Sequence, residues 1–342
     1  MRTLLALCVW SQLFTADSAG TFTNAVVPDP ADTPDPGLAY DNETSLWYAA
    51  TTGGSPGTGC FEVRSSPDLA TWKLEGMLFP PNAFPTWIDP NNPDCWAPEM
   101  HFVYGEWRVV FVGRHRNGLL SIGIGTSTTG RVEGPYADSG EPLVQGGGSN
   151  PQGQIDPTIT HNDTGAAWVL WKTDGNADGL PTPIRAAPLA PSGTALLPFQ
   201  WEKTQLITND LSWEGPLVEA PWVVKRGGVY FLFYSGNGYG GVSYAVGVAR
   251  SGVLLGPYEK LGAPILATAP GANPVFPGPG HCSVATTLNN NTAIVYHAHS
   301  DATSKRHIML DELTWVSDGK GGEWPLMASG KPQPGVGPQK IP

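Results

Sequence analysis

Positive charge is scarce in this sequence. Its 342 residues carry 19 Lys and Arg against 30 Asp and Glu, a formal net charge of −11. A nucleic-acid reader needs a basic face, and no cluster of Lys or Arg supplies one, so nucleic acid is not expected as a partner. An uncharged ligand suits this balance. Cysteine is also sparse, at four residues, and no Cys/His spacing resembles a structural zinc site. A phosphate-cradling loop is missing, since Gly146–Gly148 is a glycine run without the Lys and helix of a P-loop. Long apolar stretches are missing beyond the first one, Leu4 to Phe14, which is too short to span a bilayer. That stretch follows Arg2 and precedes small residues at Ala16 and Ala19, the pattern of a cleaved signal peptide over residues 1–19. Secretion without membrane insertion is therefore expected. Cys8 leaves with the leader; Cys60, Cys95 and Cys282 then allow at most one internal bridge. We expect Cys60–Cys95, with Cys282 a buried thiol. No linker, charge block or low-complexity tract divides the remainder, so residues 20–342 read as one domain, expected to act as a monomer.

Glycine (43), proline (34) and tryptophan (13) are plentiful and spread along the chain. They punctuate a repeated unit. Leu217 to Gly236 reads as a β-hairpin, with Val223 and Val224 closing one strand, Lys225 to Gly228 turning, and Val229 to Tyr234 returning. The same strand, polar turn and aromatic strand recur at Gly37–Thr51, Met100–Gly113, Thr158–Thr173, Trp222–Gly236 and Ser283–His297. Third strands are expected at Phe61–Arg64, Leu120–Gly125, Ile184–Leu189, Tyr244–Ala249 and His307–Leu313. Fourth strands are expected at Trp72–Leu78, Pro142–Val144, Trp201–Ile207, Tyr258–Leu266 and near Trp324. Five repeats of four antiparallel strands around a central channel make an all-β, five-bladed β-propeller. A β-sandwich with irregular spacing is the competing arrangement. Three N-glycosylation sequons, at Asn42, Asn162 and Asn290, fall in the hairpin turns and agree with a secreted glycoprotein.

A polar residue stands just before each first strand: Asp35, Glu99, Asp156, Glu219 and His281. In a propeller the first strand of each blade lines the channel, so these five converge at one mouth. Asp35, Asp156 and Glu219 then supply what glycosidic hydrolysis requires. One carboxylic acid protonates the leaving oxygen, and a carboxylate across the bond activates water. A third carboxylate raises the pKa of a neighbour that must hold its proton. Acid and base mounted on different blades leave room for a water, which favours inversion. Asp-Pro also occurs at Asp29 and Asp89 as turn chemistry, and Asp29 and Asp32 compete with Asp35 for its role. Glu214 lies in the loop ahead of Glu219. A carbohydrate-binding propeller without turnover needs aromatic platforms but no phased acids.

The motifs in order are Asp35-Pro36, Trp96-Ala97-Pro98-Glu99, Ile155-Asp156-Pro157, Val218-Glu219-Ala220-Pro221 and Gly278-Pro279-Gly280-His281. Leu313-Thr314-Trp315 with Asp318-Gly319 closes the series. Together they resemble glycoside hydrolase family 43, over essentially the whole mature chain. The resemblance implies a hydrolase of O-glycosidic bonds in plant cell-wall polysaccharide, with Asp35 as general base, Glu219 as general acid and Asp156 as pKa modulator. It places Arg306 near the site and His281 at the channel, where relatives hold a cation, commonly Ca2+, through water; a backbone hydrogen bond is the other use for His281. No cofactor is implied for the chemistry. Trp96 and Trp222 either bind the sugar or pack in the core. Many relatives have Glu-Gly-Pro where this chain has Glu-Ala-Pro-Trp, which implies a narrower subsite. The stretch after Trp315 is short for the appended β-sandwich of many xylosidase members, which favours arabinan as substrate. An α-L-arabinofuranosidase or endo-arabinanase is thus expected, ahead of a β-xylosidase or exo-galactosidase of the same fold. The Asn-Asp-Pro-Asn and Arg-Asp-Pro signatures of the retaining fructosidase propellers are absent.

Overall fold

Turn chemistry sets the hairpins. Tyr104-Gly105 (φ 52° and 86°) and Gly227-Gly228 (φ 56° and 81°) are left-handed at both central positions, which matches the twist of the flanking strands. The Asp41 carboxylate instead accepts the backbone N–H groups of Glu43 and Thr44 (3.1 and 3.3 Å) and folds the turn that follows it. This computed structural model describes residues 21–147, 151–271, 274–300, 304–327 and 339–340; the leader expected over residues 1–19 lies outside them.

The molecule is a five-bladed β-propeller. Blade 1 is built from Gly37–Asp41, Leu46–Ala50, Gly59–Ser66 and Lys73–Phe79, and blade 2 from Trp96–Val103, Glu106–Arg114, Leu120–Ser127 and Tyr136–Asp138. Blade 3 has Gly153–His161, Ala167–Asp174 and Ile184–Pro188. Blade 4 has Val218–Arg226, Val229–Gly236 and Ala245–Ser251, edged by Glu259–Lys260 and Leu266–Ala267. Blade 5 has Gly280–Thr286, Thr292–His299, Arg306–Ser317 and Glu323–Met327. The five innermost strands touch their neighbours in a closed ring, the last against the first.

The outer strands depart from expectation. Pro142–Val144 contributes one bridge, Val144 to Ile122, and Tyr136–Asp138 takes the edge of blade 2. In blade 3, Trp201–Lys203 is a 3-10 turn and Ile207 alone bridges Ile184, so among the described residues this blade has three strands. Arg185 Nη1 takes the carbonyls of Glu202 and Thr204 (2.8 Å each), and a guanidinium replaces the ladder there.

Apolar residues fill each gap between blades. Phe61, Phe79, Trp87 and Phe111 pack blade 1 on blade 2; Val110, Ile122, Trp171 and Leu189 pack blade 2 on blade 3. Leu170, Ile184, Leu232 and Tyr234 join blades 3 and 4, and Phe231, Phe233, Tyr296 and Met309 join blades 4 and 5. Cys60 and Cys95 form the expected disulfide across the first gap, and Cys282 is a buried free thiol.

The ring closes between blades 5 and 1, where Leu38, Trp47 and Ala49 meet Val295, Ile308 and Leu310. A segment ahead of blade 1 latches this seam. Asn24 both donates to the carbonyl and accepts from the N–H of Leu310 (2.8 and 2.9 Å). Val26 N–H donates to Ile308 O (3.0 Å), Thr33 N–H to Arg306 O (2.8 Å), and Ile308 N–H to Thr33 Oγ1 (3.0 Å). The latch ends two residues before Asp35.

Four innermost strands share one irregularity. Their ladders skip between Trp96 and Glu99, Ile155 and Thr158, Glu219 and Trp222, and Gly280 and Ser283. At each bulge one residue is left-handed: Ala97 (φ 46°), Asp156 (54°), Ala220 (53°) and His281 (48°). Asp35 (φ 55°) holds the same place ahead of Gly37 in blade 1. In a residue with a Cβ this conformation costs on the order of 1–2 kcal/mol, and such strain gathers at functional sites. Proline follows in four of the five blades, at Pro36, Pro98, Pro157 and Pro221. It donates nothing to the interrupted ladder and disfavours the right-handed helical region at the residue before it. The structural phase is therefore 35, 97, 156, 220, 281. Glu219 precedes its bulge by one residue and Glu99 follows its bulge by two, and both lie inside their strands rather than ahead of them.

Candidate active site

The bulges turn side chains from separate blades into one pocket of about 130 Å³ at the channel mouth. It is lined by Asp35 and Thr52 of blade 1, Trp96 of blade 2, Ile155 and Asp156 of blade 3, Glu219 and Tyr239 of blade 4, and His281 and Arg306 of blade 5. Six of the seven residues expected at the site line it together. Trp222 does not. Its indole Nε1 donates to Val284 O (2.9 Å), its ring lies 6.0 Å from His101, and it packs between blades, so it belongs to the core. Trp222 stands two residues past its bulge, as Glu99 does, and the pleat carries both away from the mouth. Glu99 pairs with His101 (3.0 Å) instead of lining the pocket. Asp29, Asp32 and Glu214 are also outside it; Glu214 is fully buried against Lys260 and Tyr234 (2.7 Å each).

Asp35 is held by four groups. Thr52 Oγ1 donates to Oδ2 (2.6 Å) while accepting from Ala97 N–H (2.8 Å), which locks that hydroxyl between two blades. Arg306 Nη1 donates to Oδ1 (3.0 Å), and His281 Nδ1 lies 3.3 Å from the same oxygen. The backbone N–H of Asp35 donates to Nδ1 of His297 (3.1 Å), so that nitrogen offers its lone pair and the ring proton sits on Nε2. Burial, with the Arg306 charge next, lowers the His297 pKa to about 3, so its contact with Asp35 is not an ion pair. Burial by itself raises the pKa of Asp35, but the charges of Arg306 and His281 outweigh it, and the carboxyl titrates well below the usual range. Asp35 is thus an ionised carboxylate throughout the range in which ordinary carboxyl groups titrate and above it.

Asp156 behaves oppositely. Burial is the main cause, the charges of Glu219 and Asp35 add to it, and the pKa rises to about 7 against the pull of His281 and Lys172. Its Oδ2 accepts from Ala220 N–H (3.0 Å), which ties blade 3 to the residue after Glu219. The Glu219 Oε2 accepts from Lys172 Nζ (2.9 Å), a lysine that is 1% exposed. One site therefore holds a fixed anion and a carboxyl that keeps its proton to near neutrality, the two states that acid–base catalysis needs.

The raised Asp156 pKa carries a stability prediction. The folded form keeps this proton to about pH 7, whereas the unfolded chain loses it near pH 4. Stability must fall as pH rises through that window. Asp156→Asn is expected to match the wild type near pH 4 and to exceed it at pH 8 by roughly 1–3 kcal/mol. Denaturant unfolding at both pH values measures the difference.

Thr52, Tyr239, Ile155, Lys172 and His297 were not read from the sequence as site residues. Lys172 did leave a signal, as a charge inside the aromatic strand Trp168-Val169-Leu170-Trp171. Tyr239, in the glycine-flanked loop after blade 4's second strand, carries Arg306 against its ring (4.6 Å). Among the described residues no group of three His, Cys, Asp or Glu side chains could hold a metal ion. His281 Nδ1 faces Asp35.

The profile of "Glycosyl hydrolases family 43" matches residues 22–321. The chain is 30% identical to the β-D-galactofuranosidase xynD of Aspergillus niger, over 76% of this chain and 73% of that protein. It is 26% identical to the extracellular exo-α-(1→5)-L-arabinofuranosidase ArbA of Cellvibrio japonicus, over 86% of each. A crystal structure of a thermostable family-43 glycoside hydrolase superposes with a TM-score of 0.75 at 26% identity, covering 92% of this chain and 99% of that one.

Proposed function

Because the chain belongs to glycosyl hydrolases family 43, and is a glycoside hydrolase, we propose that it removes terminal α-L-arabinofuranosyl units from arabinan or arabinosides of plant cell walls, with inversion. The convergence of Asp35, Asp156 and Glu219 on a pocket of about 130 Å³ carries this reading. A pocket of that size suits one sugar ring, which favours exo action. Trp96 and Tyr239 offer apolar faces to the ring, and Arg306 offers a cation to its hydroxyls.

Asp35 acts as general base, since it is ionised and anchored on both oxygens. Glu219, on blade 4, acts as general acid. Asp156 holds the strand that carries Glu219 and keeps its own proton to near neutrality. Base and acid sit on different blades and do not hydrogen-bond each other among the described residues, which leaves space for the attacking water that inversion needs. Residues 1–19 act as a leader, and the enzyme works outside the cell, as its leader pattern and the extracellular ArbA support.

A second substrate is favoured by the Aspergillus niger relative, a β-D-galactofuranosidase. The ring of β-D-galactofuranose has the configuration of α-L-arabinofuranose and differs by one exocyclic carbon, so one pocket can accept both. Aryl α-L-arabinofuranoside, β-D-galactofuranoside and β-D-xyloside, assayed side by side, rank the substrates. Proton NMR of the first product should show the β anomer of arabinose; initial release of the α anomer would end the inverting assignment. The pH profile of kcat/KM should be flat on the acid side, where Asp35 stays ionised, and fall above about pH 7 as Asp156 loses its proton.

A further inference from the structure

Lys172 is an odd residue for the middle of a blade. It is 1% exposed and lies on the second strand of blade 3, with its Nζ 2.9 Å from Glu219 Oε2 and 2.9 Å from Asp174 Oδ1. Burying an ammonium is expensive, and it is sustained here by the two carboxylates it meets, which would be left without a cation if it alone were replaced. Burial disfavours its charge, yet Glu219, Asp174 and Asp156 outweigh that and hold the pKa above normal, so the cation is permanent. Lys172 reaches across the gap between blades to touch the carboxylate assigned to proton donation. It contributes nothing to the pocket wall.

We propose that Lys172 is a positioning residue for Glu219: it fixes the orientation of that carboxyl and, balanced by Asp174, sets the upper pH limit of activity. The proposal rests on the general-acid reading of Glu219. With one Glu219 oxygen taken by Lys172, the carboxyl cannot rotate freely, and its other oxygen is the one left for substrate. Charge follows from the same contacts. The acid pair Asp156 and Glu219 is faced by Lys172 and Asp174 from blade 3, His281 from blade 5, Asp35 from blade 1 and Tyr244 from blade 4. Among these Lys172 is the cation in direct contact with Glu219. Its charge lowers the pKa of Asp156, and Asp174 offsets part of it.

The two neighbours therefore give opposite signs. Lys172→Met removes the cation, so Asp156 keeps its proton longer and the alkaline limb of kcat/KM moves up by about one pH unit or more. Its kcat should fall about 10²-fold from lost orientation, with KM little changed. Asp174→Asn leaves the cation without its counter-charge and moves the limb down. Both are measured on the full chain with an aryl arabinofuranoside, beside Glu219→Gln. A limb that stays put in both variants, or moves the same way in both, overturns the inference. Should Lys172→Met fail to fold, a downward limb in Asp174→Asn supports it and an unmoved one overturns it. If instead Glu219→Gln keeps its activity, the general-acid reading itself falls. A purely structural lysine would lower activity without moving either limb.

Discussion

Glu219→Gln is expected to lower kcat/KM on arabinan oligosaccharides by about 10²–10⁴-fold. The amide keeps the volume of the carboxyl and can still meet Lys172 through its oxygen, so the fold should survive; circular dichroism and the melting transition check this. What is lost is the proton for the leaving oxygen. A sugar alkoxide is a poor leaving group and depends on that proton, whereas a dinitrophenolate leaves almost unaided. The deficit should therefore shrink sharply on a 2,4-dinitrophenyl glycoside. An equal loss on both substrates would assign Glu219 to another role.

Asp35→Asn is the complementary case, with a loss of about 10²–10⁴-fold that does not depend on the leaving group. Water must be deprotonated whichever group departs, and an amide cannot accept that proton. The variant also leaves Arg306 facing a neutral oxygen where it now holds Oδ1 at 3.0 Å, so a lower melting temperature is expected as well. Steady-state rates on the same two substrates separate base from acid. Unchanged turnover in Asp35→Asn would move the base elsewhere, and Asp32, whose Oδ1 accepts from Arg306 N–H (2.9 Å), is the nearest rival in sequence.

The sequence made the blades legible because their hairpins alternate and their turns use residues that favour left-handed or Asx geometry. It also pointed to Asp35, Asp156, Glu219, Trp96, Arg306 and His281, which the fold brings to one pocket. It misjudged the phase by following acids instead of the residue before proline. That residue is the left-handed one in four blades, and its identity varies from Asp to Ala. The slip explains Trp222, whose distance from Glu219 along the chain is short but whose side chain is carried into the core by the bulge. Outer strands were hard to read because an edge needs few ladder bonds, and a guanidinium or a single bridge meets the requirement in blade 3. Lys172, Thr52 and His297 act through contacts across blade boundaries, which local pattern does not encode.

The seam between the last blade and the first has a consequence for biosynthesis. Asp35 leaves the ribosome before His281, His297 and Arg306, which hold it. A nascent chain therefore has no working centre until its fifth blade has docked beneath the latch from Asn24 to Thr33. Asp35 therefore gains its full set of partners only with that docking, and a chain clipped before Arg306 would lack the cation at its carboxylate.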